Sequence, residues 1–209
     1  MKLRIIKRRV SGIHKVVLNV PKLEDLYVRL DMSTVVFVME DLSSLISAKL
    51  SIYNDGCHPF WVEVLKGLSG AKSLTFVVHV DLKTPSDTQI PNFPYLKHLE
   101  FKVSSSYNDW DWRLFHQMLE NSPELEHLCV MMNPKDQKDS SWIEPQSVPT
   151  CILNNLRTMK FANFKGRKSH LQFFCILVGE CRGFDEADSN TQIYVLVMFF
   201  FMICEGIKV

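Results

Sequence analysis

The 209-residue chain predicts an α/β solenoid, with a parallel sheet on its concave side and helices or irregular connectors on its convex side. Two observations predict it. A short apolar strand pattern occurs six times, roughly every 22 to 31 residues. Two of the stretches between copies carry apolar residues at helical spacing. The copies are Leu23-x-x-Leu26-x-Val28, Leu45-x-x-Ala48-x-Leu50, Ala71-x-x-Leu74-x-Phe76, Leu96-x-x-Leu99-x-Phe101, Leu125-x-x-Leu128-x-Val130 and Leu156-x-x-Met159-x-Phe161. One such unit cannot bury its own apolar face, and only stacking on a neighbour closes a core; this is the logic of a leucine-rich-repeat array.

In chain order, Leu3 and Ile5 sit one repeat before Leu26 and Val28 and read as the second half of a first repeat that is truncated. Solenoid ends need polar caps, so the missing half predicts a shortened product or gene model. The last two apolar residues of each copy point inward and the residues between them point out. Phe60, Trp61, Val64, Leu65 and Leu68 predict a helix whose exit is marked by Gly67 and Gly70. Trp112, Phe115, Met118 and Leu119 predict a second, with Asp109 or Asp111 as N-cap and Pro123 as the stop. Both aromatic stripes are expected to pack in the core. Residues 133–141 are polar turn formers and predict a solvated loop. Beyond it, Pro145 and Pro149 predict an extended path in which Trp142 anchors on the last repeat.

Composition narrows the class. A chain with 46% hydrophobic and 22% charged residues is expected to fold. Its net charge of +1 offers no electrostatic footprint for nucleic acid, and Lys7, Arg8 and Arg9 form the only dense basic cluster. No apolar signal run follows Met1. The six cysteines form no C-x-x-C pair, and no Asn is followed two residues later by Ser or Thr. These features predict a reducing compartment, cytoplasm or nucleus, with free thiols. The apolar run Ile193 to Cys204 is too short to span a membrane as a helix; residues 184–209 read as a divergent, aggregation-prone tail.

The sequence carries no catalytic or cofactor signature. There is no phosphate loop, nucleophile elbow or zinc-protease helix, and no cofactor or metal is expected. His98 and His127 occupy the same repeat position and so recur by geometry; Cys57 and His58, though adjacent, point to different sides of any strand. The candidate site is therefore the concave sheet face. Its outward positions are Tyr27, Lys49, Thr75, Glu100, Cys129 and Lys160, followed by Arg29, Lys102 and Met131. Such a mixed face of charged, aromatic and long side chains suits protein recognition.

Trp142, Pro145, Val148-Pro149 and Cys151, followed by Leu156 and Gly166, resemble the opening of the FBD domain of plant F-box/LRR proteins. The stretch from Val16 through Pro21 to Leu26 resembles that family's repeat signature, and Leu119 to Leu128 its last repeat before the FBD segment. The resemblance implies leucine-rich repeats over 1–132, a partial FBD domain over 133–183 and a departure from the family after that. It also implies a non-enzymatic interaction module, similar to the target-binding part of an SCF-type ubiquitin-ligase receptor. Such receptors dock a Skp-family adaptor through an F-box; none precedes Met1, so adaptor binding by this chain is not expected. The competing expectation is a degenerate fragment with no biochemical role of its own.

Overall fold

The computed structural model of the protein describes residues 1–7, 14–30, 35–53, 60–79, 88–103, 112–131 and 148–162. The expected N-cap at Asp109 or Asp111, the loop at 133–141, Trp142, Pro145, Gly166, the Cys57-His58 pair and the apolar tail lie outside the described residues.

Seven parallel strands form the main sheet: β1 (Lys2–Lys7), β3 (Asp25–Leu30), β5 (Ser47–Ile52), β6 (Ser73–Val78), β7 (His98–Val103), β8 (His127–Met131) and β9 (Thr158–Ala162). They lie side by side in chain order. Register is continuous from end to end: Leu3 pairs with Leu26, then Ala48, Leu74, Leu99, Leu128 and Met159. The half-repeat at the start of the chain thus supplies a full strand. A second, two-stranded parallel sheet joins β2 (His14–Asn19) to β4 (Val35–Asp41). Helices α1 (Phe60–Gly67), α2 (Trp112–Glu120) and α3 (Thr150–Asn154) complete the described elements. None of them is long and apolar enough to cross a membrane.

Parallel neighbours cannot be joined by a tight hairpin, so each strand must be followed by a crossover. In five of the six motifs the opening residue closes the turn ending that crossover. The amides of Leu23, Leu45, Ala71, Leu96 and Leu125 donate to the carbonyls of Val20, Leu42, Leu68, Phe93 and Ser122, three residues back in each case. All five of those turn-closing side chains are buried. Immediately afterwards a single carbonyl ties each repeat to the next. Those of Met1, Glu24, Ile46, Lys72, Lys97 and Glu126 each accept two consecutive amides from the following repeat, at 2.8–3.2 Å. A backbone seam therefore runs the length of the sheet, independent of side-chain identity.

The inward rows carry the core. Val28, Leu50, Phe76, Phe101 and Val130 are at most 1% exposed. Phe76 and Phe101 meet edge to face at 5.3 Å, and Phe101 meets Phe115 of α2 at 5.2 Å, an arrangement that suits aromatic quadrupoles. Trp61 of α1 packs on Phe76 at 6.0 Å. The helical aromatic stripes are core residues wherever their side chains are described.

Gly67 is the last residue of α1 and does more than mark its exit. A Cβ there would overlap Met39 of β4, whereas one at Gly70 would meet nothing within 4 Å. The helix thus leans on β4 at a point where only glycine fits. The segment around Pro149 also differs from the expected extended path. Pro149 is extended, with φ −56° and ψ 137°, but α3 begins directly after it. The Cys151 Sγ donates to the Leu119 carbonyl at 3.3 Å, and Asn155 Nδ2 donates to the Pro123 carbonyl at 2.8 Å. Both bonds fasten α3 to the end of α2 and its exit turn. Burial pushes the Cys151 thiol up to about 12, which leaves it a protonated packing residue.

Candidate protein-binding face

Alternation along each strand sends the residues between the core positions to the opposite side of the sheet. Register then gathers them into rows. The middle row reads Arg4, Tyr27, Lys49, Thr75, Glu100, Cys129 and Lys160, and the next reads Ile6, Arg29, Ser51, Val77, Lys102, Met131 and Ala162. All nine expected site residues fall in these two rows. Lys49 and Lys160 are exposed, while Tyr27, Arg29, Thr75, Glu100, Lys102, Cys129 and Met131 are half-buried. Ser51, Val77 and Ala162 are buried, each beside a longer side chain (Arg29, Lys102 or Met131) on a strand about 4.8 Å away.

The rows contain three local arrangements. At one end, Tyr27 lies between two cations: Arg4 is 5.0 Å and Lys49 5.5 Å from its ring centre. Near the other end of the strands, Arg29 sits 3.9 Å over the ring of Tyr53, just past β5, and Tyr53 stacks on His79, just past β6, at 3.7 Å. Further along, Glu100 accepts a hydrogen bond from Thr75 at 3.1 Å and pairs with Lys102 at 2.8 Å. Cys129 lies beside this group. Burial first, then the Glu100 charge, push its thiol up, with Lys160 and Lys102 opposing, so it is not an activated nucleophile.

A third row marks the strand entry: Lys2, Asp25, Ser47, Ser73, His98, His127 and Thr158. His98 and His127 stack at 4.4 Å, and His127 Nδ1 lies 2.7 Å from Thr158 Oγ1. Burial and the neighbouring His127 lower the His98 pKa. Beside them, Glu126 pairs with Lys97 at 2.6 Å and Arg157 at 3.4 Å; the Lys97 hydrogen bond chiefly holds its carboxyl below the usual range. Among the described residues no group of three or more potential metal ligands assembles.

Arg4, Tyr53 and His79 join the nine expected site residues. Arg4 is legible once the middle row is extended back to the half-repeat. Tyr53 and His79 continue the outward alternation two residues beyond Ser51 and Val77, where the strand pattern no longer constrains the reading.

Seven parallel strands in one repeating register, with a row of side chains contributed one per repeat, define an α/β protein of repeated strand units. A family model named FBD matches residues 144–175, whose described part is α3 and β9 with their flanks. Over 176 residues the chain is 26% identical to an F-box/FBD/LRR-repeat protein of Arabidopsis thaliana, covering 80% of this chain and 39% of that one. It is 24% identical to a second protein of that description from the same plant, covering 87% and 50%. To an FBD-associated F-box protein of Arabidopsis thaliana it is 26% identical, covering 80% and 38%. Over most of its length the chain is thus similar to plant F-box/FBD/LRR-repeat proteins, and residues 144–175 match the FBD model. It spans half or less of the length of these relatives. No solved structure matches it significantly.

Proposed function

We propose that this chain is a protein-recognition module: a leucine-rich-repeat solenoid over 1–132, continued by a partial FBD segment over 133–183, that holds a protein target against the outward rows of its main sheet. In this reading it is the target-selecting part of an F-box receptor of the SCF ubiquitin-ligase type, working in the cytoplasm or nucleus without catalytic chemistry of its own. Residues 184–209 lie outside the recognition unit. The supporting observation is the register. Side chains far apart in sequence, among them Tyr27, Lys49, Thr75 and Lys102, are assembled on one side of a sheet whose other side is core. Tyr27, Arg4, Arg29 and Met131 on this face are of the types enriched at protein interfaces.

The experiment is selection of linear peptides from a random displayed library on the immobilised 209-residue chain. Selected peptides are expected to lose about tenfold or more in affinity for a Tyr27→Ala/Lys49→Ala/Thr75→Ala/Lys102→Ala variant, while keeping it for Lys15→Ala/Lys66→Ala on the connectors. Equal binding to both variants would move the recognition surface off the sheet.

A further inference from the structure

Taking the sheet face as the protein-binding surface, we infer that its target is an extended, acidic protein segment, whose carboxylates are seated at the end of the sheet formed by β1, β3, β5 and β6. The whole chain carries a net charge of only +1, so a local excess is informative. The middle and following rows hold Arg4, Arg29, Lys49, Lys102 and Lys160 against one acid, Glu100. That acid is already engaged by Thr75 and Lys102. Acidic residues sit instead on the connectors and at the strand entry, as with Glu63, Asp41 and Glu126.

The cations at this end are held by rings. Stacking on an aromatic face orients a cation without cancelling its charge, and a guanidinium so placed presents its N–H edge in a fork that matches a carboxylate. Arg4 and Lys49 flank Tyr27 in this manner, and Arg29 lies on the Tyr53–His79 stack two residues further along the strands. Neighbouring strands are about 4.8 Å apart, so these four strands span about 14 Å, the reach of four or five extended residues. A protein segment is favoured over nucleic acid because the rows also carry Glu100, Cys129 and Met131, and the chain as a whole is almost neutral.

The test uses fluorescence anisotropy of a fluorescein-labelled decapeptide of alternating Glu and Ala, its Gln/Ala counterpart and a ten-nucleotide thymidine strand. The Glu peptide is expected to bind saturably, and the Gln peptide about tenfold more weakly. Arg4→Glu/Lys49→Glu should weaken the Glu peptide about tenfold or more, Arg4→Gln/Lys49→Gln by less, and Lys160→Glu at the far end about threefold at most. Unchanged circular-dichroism melting of these exposed-residue variants ties the losses to binding. Equal binding of the Glu and Gln peptides, equal damage from Lys160→Glu, or preference for the thymidine strand would overturn the inference. Should the library-selected peptides be neutral and still depend on Tyr27, the acidic target falls while the recognition face stands.

Discussion

Phe101→Ala is expected to destabilise the protein by about 3–5 kcal/mol, the range for truncating a fully buried aromatic ring. Phe101 is 1% exposed and lies between the rings of Phe76 and Phe115, so its removal opens a cavity where two repeats and α2 meet. The strand seam on either side limits collapse into that cavity, because the carbonyls of Lys72 and Lys97 fix the start of β7 and β8. Chemical denaturation of the variant beside the native chain measures the loss. A change under about 1 kcal/mol would place Phe101 outside a packed core. Phe101→Leu should lose less, since it keeps most of the buried volume while removing both edge-to-face contacts.

Gly67→Ala is expected to destabilise by about 1–3 kcal/mol, although alanine is the better helix former. The new methyl would meet the Cβ of Met39 as well as its flexible end, so a rotamer change alone cannot relieve the contact and α1 must move off β4. Gly70→Ala is the matched control, since open space surrounds that position. Thermal melting of the two variants separates close approach from loss of backbone freedom. Equal, small effects at both positions would mean that α1 and β4 do not touch at Gly67.

Much of the main sheet is legible in the sequence because stacking imposes one rule on every repeat. The inward apolar residues of β3, β5, β6, β7, β8 and β9 follow from that rule, and Leu3 and Ile5 extend it to β1. The connectors obey no such rule. Helices α1 and α2 are readable because Trp61, Val64, Leu65, Leu68, Phe115, Met118 and Leu119 keep helical spacing and are buried. The β2–β4 sheet is not legible as a second layer, since a short strand that buries only a residue such as Leu18 or Phe37 leaves little periodicity. Helix α3 is hidden because Pro145 and Pro149 signal extended backbone, and a five-residue helix after a proline has too few turns to show a period. The role of Gly67 depends on Met39, 28 positions earlier, and contacts between connectors leave no mark in local pattern.

For the proposed recognition face, register supplies the rows, and strand alternation supplies which residues enter them. Exposure within a row depends on neighbours across the sheet, which is why Ser51, Val77 and Ala162 are buried beside half-buried Arg29, Lys102 and Met131. The stacking of Tyr53 on His79 arises past the strand ends, where the repeat pattern has already stopped.

Lysine footprinting with a library-selected peptide bound is the most direct test of the proposed recognition through the sheet face. Acetylation by a hydroxysuccinimide ester, read residue by residue by mass spectrometry, should fall at Lys49 and Lys102 on the sheet when the peptide is present. Lys15 on β2 and Lys66 on α1, both outside the rows, should react as before. Protection of Lys15 or Lys66 with Lys49 and Lys102 unchanged would contradict recognition through the sheet face.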